Sequence, residues 1–190
     1  MTAEAKLAHS IGLTPNLVSA IGIVFAALSA LAYWKWQINT LFLILAPLLL
    51  LASGFCDALD GALARLYGQT TTFGGFLDSL LDRYADAIIF CGIILGGLCD
   101  PFWGLAALMG SLLVSYARAR AEAAGVKMET VGIAERAERL VILTIVSFLT
   151  IAWREALSWS IVILAILTNL TVLQRVIYFH KASKQKENGS

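Results

Sequence analysis

Charged residues are scarce in this chain. Asp, Glu, Lys and Arg make up 14% of its 190 residues, whereas a soluble domain carries about 25%. The three cysteines lack CxxC spacing, so they indicate small buried side chains rather than a zinc site or a redox pair. No basic patch of the kind that binds nucleic acid stands out. With 59% hydrophobic residues and a mean hydropathy of +0.79, the chain is predicted to be an all-α integral membrane protein.

Six apolar stretches are each long enough for a transmembrane helix, which needs about 20 mostly apolar residues. The predicted spans are 17–34, 38 to about 56 with a helical continuation to 65, 75–98, 102–120, 138–153 and 157–179. Together they form one predicted six-helix domain, residues 16–180. Residues 1–15 are predicted to form an amphipathic segment at the membrane interface. The polar tail, residues 181–190, is predicted to be disordered.

Lysine and arginine are distributed unevenly between the two ends of these spans. With six spans, 12 of the 14 basic residues fall on the side that holds both termini, and only Lys35 and Arg154 fall on the other side. The positive-inside rule places the richer side in the cytoplasm. The chain is therefore predicted to be a multi-pass protein of the cell membrane with both termini in the cytoplasm.

Four aspartates lie at the predicted cytoplasmic ends of the second and third spans. Asp57 and Asp60 are three residues apart, so they share one face of a helix. Asp78 and Asp82 are four residues apart and share a face of the next, antiparallel helix. The two pairs can therefore converge, and carboxylates at close range repel each other unless cations neutralise them. Oxygen ligands without a nearby histidine or thiol favour Mg²⁺, Mn²⁺ or Ca²⁺ over zinc.

Small residues and one arginine follow the first aspartate pair. Gly61 and Ala64 let a ligand approach the helix backbone closely, and Arg65 offers a guanidinium fork suited to phosphate. These residues indicate a diphosphate substrate that is held through metal ions. Two other interpretations of the aspartates stay open, namely interhelical salt bridges with Arg65 and Arg83 and the cation or proton site of a transporter.

The stretch from Asp57 to Asp82 reads D-x2-D-G-x2-A-R-x8-G-x3-D-x3-D. At every fixed position it resembles the signature of the CDP-alcohol phosphotransferases, and the six-span layout is similar to that family over the whole chain. The resemblance implies six transmembrane helices around a cytoplasm-facing polar cavity, usually in a homodimer. It also implies that the substrate is a CDP-linked alcohol, normally a lipid, from which the hydroxyl of an acceptor displaces CMP.

The same resemblance implies roles for individual residues. Two metal ions, Mg²⁺ or Mn²⁺, would be held by the four aspartates, and Asp82 would also accept the proton of the acceptor hydroxyl. The CDP moiety would contact the other motif positions and the TPN element before the first span. These residues are Asn16, Ser19, Asp57, Asp60, Gly61, Ala64, Arg65, Gly74 and Asp78. Thr14 and Pro15 of the TPN element also fit an ordinary helix start.

Arginines cluster at the predicted cytoplasmic ends of the last three spans. A basic cluster beside a metal site favours an anionic acceptor, and arginine binds phosphate through two parallel hydrogen bonds, although it can also simply anchor the protein to anionic headgroups. The strings SYARARAEA and GIAERAERL resemble the phosphatidylinositol-phosphate synthase branch and its archaetidylinositol-phosphate counterparts. That resemblance implies inositol 1-phosphate as the acceptor. Its phosphate would be bound by Arg118, Arg136 or Arg139, and Arg175.

Several alternatives stay open at this level. Glycerol 3-phosphate as acceptor, or synthesis of a di-inositol phosphate, would require similar arginines, and the sequence does not distinguish an ester-linked from an ether-linked lipid donor. Asp86 continues the four-residue spacing of the aspartates and fits an outer metal ligand, a water site or a structural hydrogen bond. Gly92, Gly96 and Gly97 suit close helix packing within one subunit or at a dimer seam.

Overall fold

The computed structural model describes the backbone of residues 2–128, 131–133 and 135–188, with side chains up to Lys184. Regular structure in these ranges is entirely α-helical. The helices are α1 (Thr2–Ser10), α2 (Pro15–Lys35), α3 (Phe42–Leu66), α4 (Thr72–Leu95), α5 (Pro101–Ala123), α6 (Arg136–Leu149) and α7 (Ala156–Asn188). The six predicted spans correspond in order to α2 through α7.

Three of the helix starts are encoded by local sequence. Thr14 and Asp100 each precede a proline at the first helical position, which suits a residue that lacks an N–H. The side chains of Thr14, Thr71 and Asp100 accept hydrogen bonds from backbone N–H groups of the first turn of α2, α4 and α5. The cap at Thr71 begins α4 only five residues after α3 ends, so a short turn joins the two helices, which together are here called the α3–α4 hairpin. They make few contacts with each other, and α2 packs against both of them.

The helices pack so that α2, α3, α4 and α6 surround the aspartates. α2 lies along both α3 and α4, α6 packs on α3 and α7, and α5 packs on α7 and α4. Tyr33, Leu50 and Phe90 are almost fully buried in the main apolar core. The Tyr33 hydroxyl lies 2.6 Å from the Ser147 hydroxyl, and this hydrogen bond ties α2 to α6 inside the core.

Four helices among the described residues are long and apolar enough to cross a membrane: α2, α3, α5 and the Ala156–Lys184 part of α7. α4 has sufficient length, but it carries Asp78, Asp82, Arg83 and Asp86. α6 has only 14 residues, which span about 21 Å at 1.5 Å per residue. That α4 and α6 also cross the bilayer stays a prediction.

The chain ends differ from the sequence-based boundaries. The tail from residue 181 was expected to be disordered, but α7 continues as helix to Asn188. Its alanine, lysine and glutamine residues are good helix formers, and no glycine or proline interrupts them before Gly189. At the other end, residues 2–10 form α1, which buries Ala5 and Ala8 against α3. A location of α1 at the membrane interface stays a prediction.

Two of the glycines singled out in the sequence pack against α2 of the same chain. A Cβ atom at Gly92 would overlap the backbone of Ala30, and one at Gly96 would overlap the carbonyl of Tyr33. Only a residue without a side chain allows the two helices to approach this closely. For Gly92 and Gly96, the open choice between internal packing and a dimer seam is therefore resolved in favour of internal packing.

Candidate active site

Three carboxylates from the α3–α4 hairpin converge on one point. Asp57 on α3 and Asp78 and Asp82 on α4 each offer an oxygen atom, and these oxygens lie within 4.8 Å of one another. All three side chains are partly buried. Hard oxygen ligands at this spacing are suited to a divalent cation such as Mg²⁺ or Mn²⁺. The residues present therefore fit the metal that the sequence pattern indicates.

Asp60 faces a different partner. Its carboxylate accepts a short hydrogen bond from the Ser19 hydroxyl on α2, and its side chain is buried. Asp60 lies one helical turn from Asp57, so it is beside the converging carboxylates without belonging to the group. The prediction that all four aspartates hold metal is supported geometrically for three of them and stays a prediction for Asp60.

A cavity of about 180 Å³, here called the glycine cavity, opens between the starts of α2 and α4 and the end of α3. It is lined by Asn16, Ser19, Asp60, Gly61, Ala64, Arg65, Gln69, Thr70, Thr71, Gly74, Gly75 and Asp78, together with Pro15. Every residue predicted to contact CDP lines it, except Asp57. A Cβ atom at Gly61 would come within 3.1 Å of the Arg65 guanidinium. The glycine therefore leaves room for the arginine to lie along its own helix.

A larger cavity of about 580 Å³, here called the arginine cavity, opens on the other side of the aspartates. Its walls come from α3, α4, α5, α6 and α7. Its arginines are Arg83, Arg118, Arg136, Arg139 and Arg175, and its acids are Asp57, Asp82, Asp86 and Glu135. All four arginines predicted to bind the acceptor phosphate line this one cavity.

The aspartates lie between the two cavities. A narrow space of about 20 Å³ is lined by Ser19 and Asp60, which also line the glycine cavity, and by Asp57, Asp82 and Arg136, which also line the arginine cavity. Molecules bound in the two cavities would therefore meet at the carboxylates. This arrangement suits a reaction between two substrates that bind on either side of the aspartate cluster.

Arg136 lies directly on the aspartate cluster. Its Nη1 atom is 2.8 Å from Asp57 Oδ2 and 2.8 Å from Asp82 Oδ1. The side chain is only 20% exposed, so this ion pair is well shielded from water and stronger than a surface pair. Arg136 thus offsets part of the negative charge of the two carboxylates in this structure.

Arg139, one turn further along α6, pairs with a different aspartate. Its Nη2 atom donates to Asp86 Oδ2 at 2.6 Å, and its side chain is 3% exposed. Asp86 Oδ1 lies 3.6 Å from Arg136 Nε, which is close enough for an ion pair but long for a hydrogen bond. Of the three interpretations of Asp86, the structure therefore supports the structural hydrogen bond.

The other two arginines have contrasting surroundings. Arg175 is 2% exposed and donates to the backbone carbonyls of Val131, at 2.7 Å, and Val114, at 2.5 Å. It therefore joins α7 to α5 and to the segment before α6. Arg118 has a side chain that is 40% exposed and pairs with Glu122 on its own helix at 2.9 Å. Arg118 can turn toward a ligand at much lower cost than Arg175.

Sequence reasoning did not predict the pairing of Arg136 with Asp57 and Asp82. No linear spacing relates these positions, which are brought together only because α6 packs on α3. It also missed residues Gln69, Thr70 and Thr71 in the wall of the glycine cavity. Their only signal was their position in the short turn before Gly74, a predicted ligand contact.

Comparison with known proteins places this geometry in a family. Residues 12–178 match the CDP-alcohol phosphatidyltransferase family. The match covers all of the aspartates and arginines described above. The chain therefore belongs to the CDP-alcohol phosphatidyltransferases and is an enzyme of that class.

Individual relatives are similar over nearly the full chain. The archaetidylinositol phosphate synthase of Pyrococcus horikoshii is 41% identical over 97% of this chain and 91% of its own length. That of Methanothermobacter thermautotrophicus is 42% identical over 90% of this chain and 86% of its own length. The crystal structure of Mycobacterium tuberculosis phosphatidylinositol phosphate synthase with CDP-DAG bound has a TM-score of 0.81 and 30% identity, over 94% of this chain and 92% of that one. The same enzyme is also known in complex with manganese and citrate, with a TM-score of 0.81.

Proposed function

We propose that this enzyme transfers a phosphatidyl-type group from a CDP-linked lipid to inositol 1-phosphate and releases CMP. The observation that carries the proposal is the arginine cavity, in which five arginines line a space that reaches the aspartate cluster. Such a cavity suits a small, phosphorylated acceptor. Similarity to archaetidylinositol phosphate synthases and phosphatidylinositol phosphate synthases supports the same acceptor.

The CDP part of the donor would bind in the glycine cavity. Gly61 and Gly74 leave the helix backbone open there, and Arg65 supplies a cation for the diphosphate. Asn16 lies beside Gly74, where a Cβ atom would be 3.7 Å from Asn16 Oδ1. The similarity to a structure with CDP-DAG bound supports this assignment. The lipid tails would extend from this cavity into the bilayer.

The four aspartates, Asp57, Asp60, Asp78 and Asp82, would hold two divalent cations, Mg²⁺ or Mn²⁺. Bound metal would neutralise the charge that builds up on the diphosphate during transfer. The enzyme's own contribution is to fix the carboxylates, and Ser19 does so for Asp60 through its hydrogen bond. Removal of divalent cations by a chelator should stop CMP release, and addition of Mg²⁺ or Mn²⁺ should restore it.

Asp82 would accept the proton during transfer. The acceptor hydroxyl oxygen forms a bond to the lipid-linked phosphorus, the bond from that phosphorus to the oxygen of CMP breaks, and the hydroxyl proton moves to the Asp82 carboxylate. Asp82 lines both the narrow space between the cavities and the arginine cavity. Asp57 lines the same two spaces, so both aspartates face a molecule in the arginine cavity, and it is the resemblance to the family motif that favours Asp82 as the proton acceptor.

The acceptor phosphate would be held by Arg118, Arg136, Arg139 and Arg175. Arg118 is the most exposed of the four whose surroundings are described above, so it would be the first to meet the acceptor. Arg175 is fixed by two backbone carbonyls and would act mainly by shaping the wall of the cavity. Positively charged walls also attract an anionic substrate from solution.

In the membrane, we infer that all six of α2 through α7 cross the bilayer of the cell membrane. The cavities would face the cytoplasm, where soluble phosphate esters are available, and the basic residues would lie on the same side. The enzyme would work as a homodimer. The orientation is tested in a variant without the three native cysteines, to which one cysteine is added at residue 154 or at residue 118. A membrane-impermeant thiol reagent should label residue 154 in intact cells and residue 118 only after the cells are permeabilised.

The decisive experiment supplies the purified protein with CDP-archaeol or CDP-diacylglycerol and Mg²⁺. Inositol 1-phosphate and glycerol 3-phosphate are then compared as acceptors, with CMP release as the measurement. In a third reaction, soluble CDP-inositol replaces the CDP-lipid as the donor to inositol 1-phosphate. CMP release from the CDP-lipid with inositol 1-phosphate but not with glycerol 3-phosphate supports the proposal. CMP release only with glycerol 3-phosphate assigns a phosphatidylglycerophosphate-type reaction. Divalent cation flux into liposomes without any CMP release would instead indicate a transporter.

A further inference from the structure

Asp86 lies outside the aspartate motif, yet it is held by the cavity's arginines. It is on the same face of α4 as Asp82, one turn further along, because the two are four residues apart. Arg139 donates to one of its oxygens, Oδ2, at 2.6 Å. The other oxygen, Oδ1, faces Arg136 Nε at 3.6 Å. Asp86 is therefore fixed from one side and offers its second oxygen to Arg136.

Arg136 occupies one oxygen of each of two carboxylates that would hold a metal ion. Its Nη1 atom is 2.8 Å from both Asp57 Oδ2 and Asp82 Oδ1. A guanidinium and a divalent cation repel each other, so both cannot stay close to the same oxygens. Metal binding at these aspartates therefore requires the Arg136 guanidinium to move.

The structure indicates where the guanidinium would go. Arg136 Nε is buried and has no hydrogen-bond partner among the described residues. A buried donor without a partner is costly, and Asp86 Oδ1, at 3.6 Å, is within ion-pair distance of this nitrogen. A shift of less than about 1 Å would shorten this contact to an ordinary hydrogen bond of about 2.9 Å. A rotation of the guanidinium toward Asp86 would also let Nη1 leave Asp57 and Asp82.

We propose that Asp86 is a positioning residue that receives Arg136 when divalent cations bind Asp57 and Asp82. Arg136 and Arg139, three residues apart on one face of α6, would then lie side by side in the arginine cavity. Metal binding would in this way complete the site for the acceptor phosphate and free Asp82 to accept a proton. The inference rests on the proposed metal site and adds a coupling between that site and the acceptor site.

The test measures Mn²⁺ affinity without any substrate, on the full-length protein in detergent, by the loss of the free Mn²⁺ EPR signal. Arg136→Gln should tighten Mn²⁺ binding by about tenfold, because a competitor with charged hydrogen bonds is removed. Arg118→Gln is the matched control, since it removes the same charge from the same cavity, while Arg118 pairs with Glu122 and its substitution leaves Arg136, Asp86 and the converging aspartates in place. Its effect should be less than about threefold.

A double-mutant cycle separates positioning from simple charge effects. Asp86→Asn should weaken Mn²⁺ binding by about tenfold, because Arg136 loses the anion that draws it away. In the Arg136→Gln background the same Asp86→Asn change should have no effect. Asp86→Glu, which keeps a carboxylate at this position, should retain most of the Mn²⁺ affinity of the unchanged protein. In turnover assays, Asp86→Asn should raise the KM for inositol 1-phosphate more than the KM for the CDP-lipid.

Three outcomes would overturn the inference. One is that Arg136→Gln weakens Mn²⁺ binding or leaves it unchanged. Another is that Arg118→Gln has as large an effect as Arg136→Gln. The third is that Asp86→Asn weakens Mn²⁺ binding equally in the presence and absence of Arg136. In that case the charge of Asp86 would act on the metal ion itself and not through Arg136. If the unchanged protein binds no Mn²⁺, the proposed metal site fails as well, whereas these three outcomes leave that site intact.

Discussion

Ser19 on α2 donates a hydrogen bond to the carboxylate of Asp60 on α3, across 41 positions of the sequence. Both residues line the glycine cavity and the narrow space beside Asp57, Asp78 and Asp82. The bond holds a buried carboxylate in one orientation before any ligand arrives. Preorganisation of this kind lowers the free-energy cost of binding.

Replacement of Ser19 by alanine should therefore weaken donor binding. A hydrogen bond to a charged group contributes roughly 1.5–3 kcal/mol, so we expect the KM for the CDP-lipid to rise by about tenfold or more, with a smaller change in kcat. Ser29→Ala is the matched control, because Ser29 also bridges α2 and α3 through a 2.7 Å bond to the Ala46 carbonyl but lies in the core. An equal rise in KM for both variants would mean that the helix contact, not Asp60, is what matters.

Asp82→Asn separates binding from chemistry. Asparagine keeps the size of the side chain but cannot accept the proton of the acceptor hydroxyl. We expect CMP release to fall by at least about 100-fold, with binding of the CDP-lipid largely unchanged when measured by equilibrium dialysis or thermal shift. Turnover close to the unchanged protein's rate would exclude Asp82 as the base.

Arg118→Ala tests the acceptor side of the site. Arg118 lines the arginine cavity and Arg120 does not, although both belong to the last turns of α5. Loss of one charged contact to phosphate should raise the KM for inositol 1-phosphate about tenfold or more and leave the KM for the CDP-lipid nearly constant. Arg120→Ala should change neither value. Equal losses for both substrates would place Arg118 outside the acceptor site.

Arg175→Lys should reduce stability. Lysine keeps the positive charge but cannot donate in two directions at once to the carbonyls of Val131 and Val114, as the guanidinium does. We expect a loss of roughly 2–4 kcal/mol, seen as a lower midpoint of thermal unfolding in detergent. Arg120→Lys, at an exposed position of α5, should leave the midpoint unchanged. A variant that unfolds normally but has a higher KM for the acceptor would instead assign Arg175 a direct contact.

Gly92→Ala tests the close approach of α2 and α4. The added methyl group would overlap the Ala30 backbone, so we expect a loss of about 1–3 kcal/mol in the stability of the monomer. Gly75→Ala, also in α4, is the control for stability, because no atom lies within 4 Å of its Cβ position. It should be neutral or stabilising by up to about 1 kcal/mol. A change in dimerisation at unaltered monomer stability would place Gly92 at a subunit contact.

The sequence alone predicted the parts of the fold and site that depend on local spacing. Asp78 and Asp82 share a face of α4 because helical periodicity requires it, and residues around Gly61 and Gly74 form one cavity because α3 and α4 are joined by a short turn. Helix identity was predicted for all six long segments. The end of α6 at Leu149 was not, since the apolar pattern continues for four more residues.

Contacts between distant segments could not be predicted in the same way. Arg136 reaches Asp57 only through the packing of α6 on α3, and the fixation of Arg175 depends on carbonyl groups, which every residue type carries. The predicted spans and their orientation placed the arginines and the aspartates at the same, cytoplasmic ends of the helices. They did not indicate which arginine would pair with which aspartate, because several pairings satisfy the same charges.

The α3–α4 hairpin carries all four motif aspartates and most of the glycine cavity, whereas the arginines of the other cavity come mainly from α5, α6 and α7. The residues proposed to bind the donor and those proposed to bind the acceptor thus come mainly from the first and second halves of the polypeptide, respectively. Substitutions in the second half that spare Arg136, which is ion-paired with Asp57 and Asp82, should alter the choice of alcohol without disturbing the residues proposed to hold the nucleotide and the metal. A chimaera that joins residues 1–100 of this chain to the corresponding second half of a relative with another acceptor should therefore acquire that relative's preference.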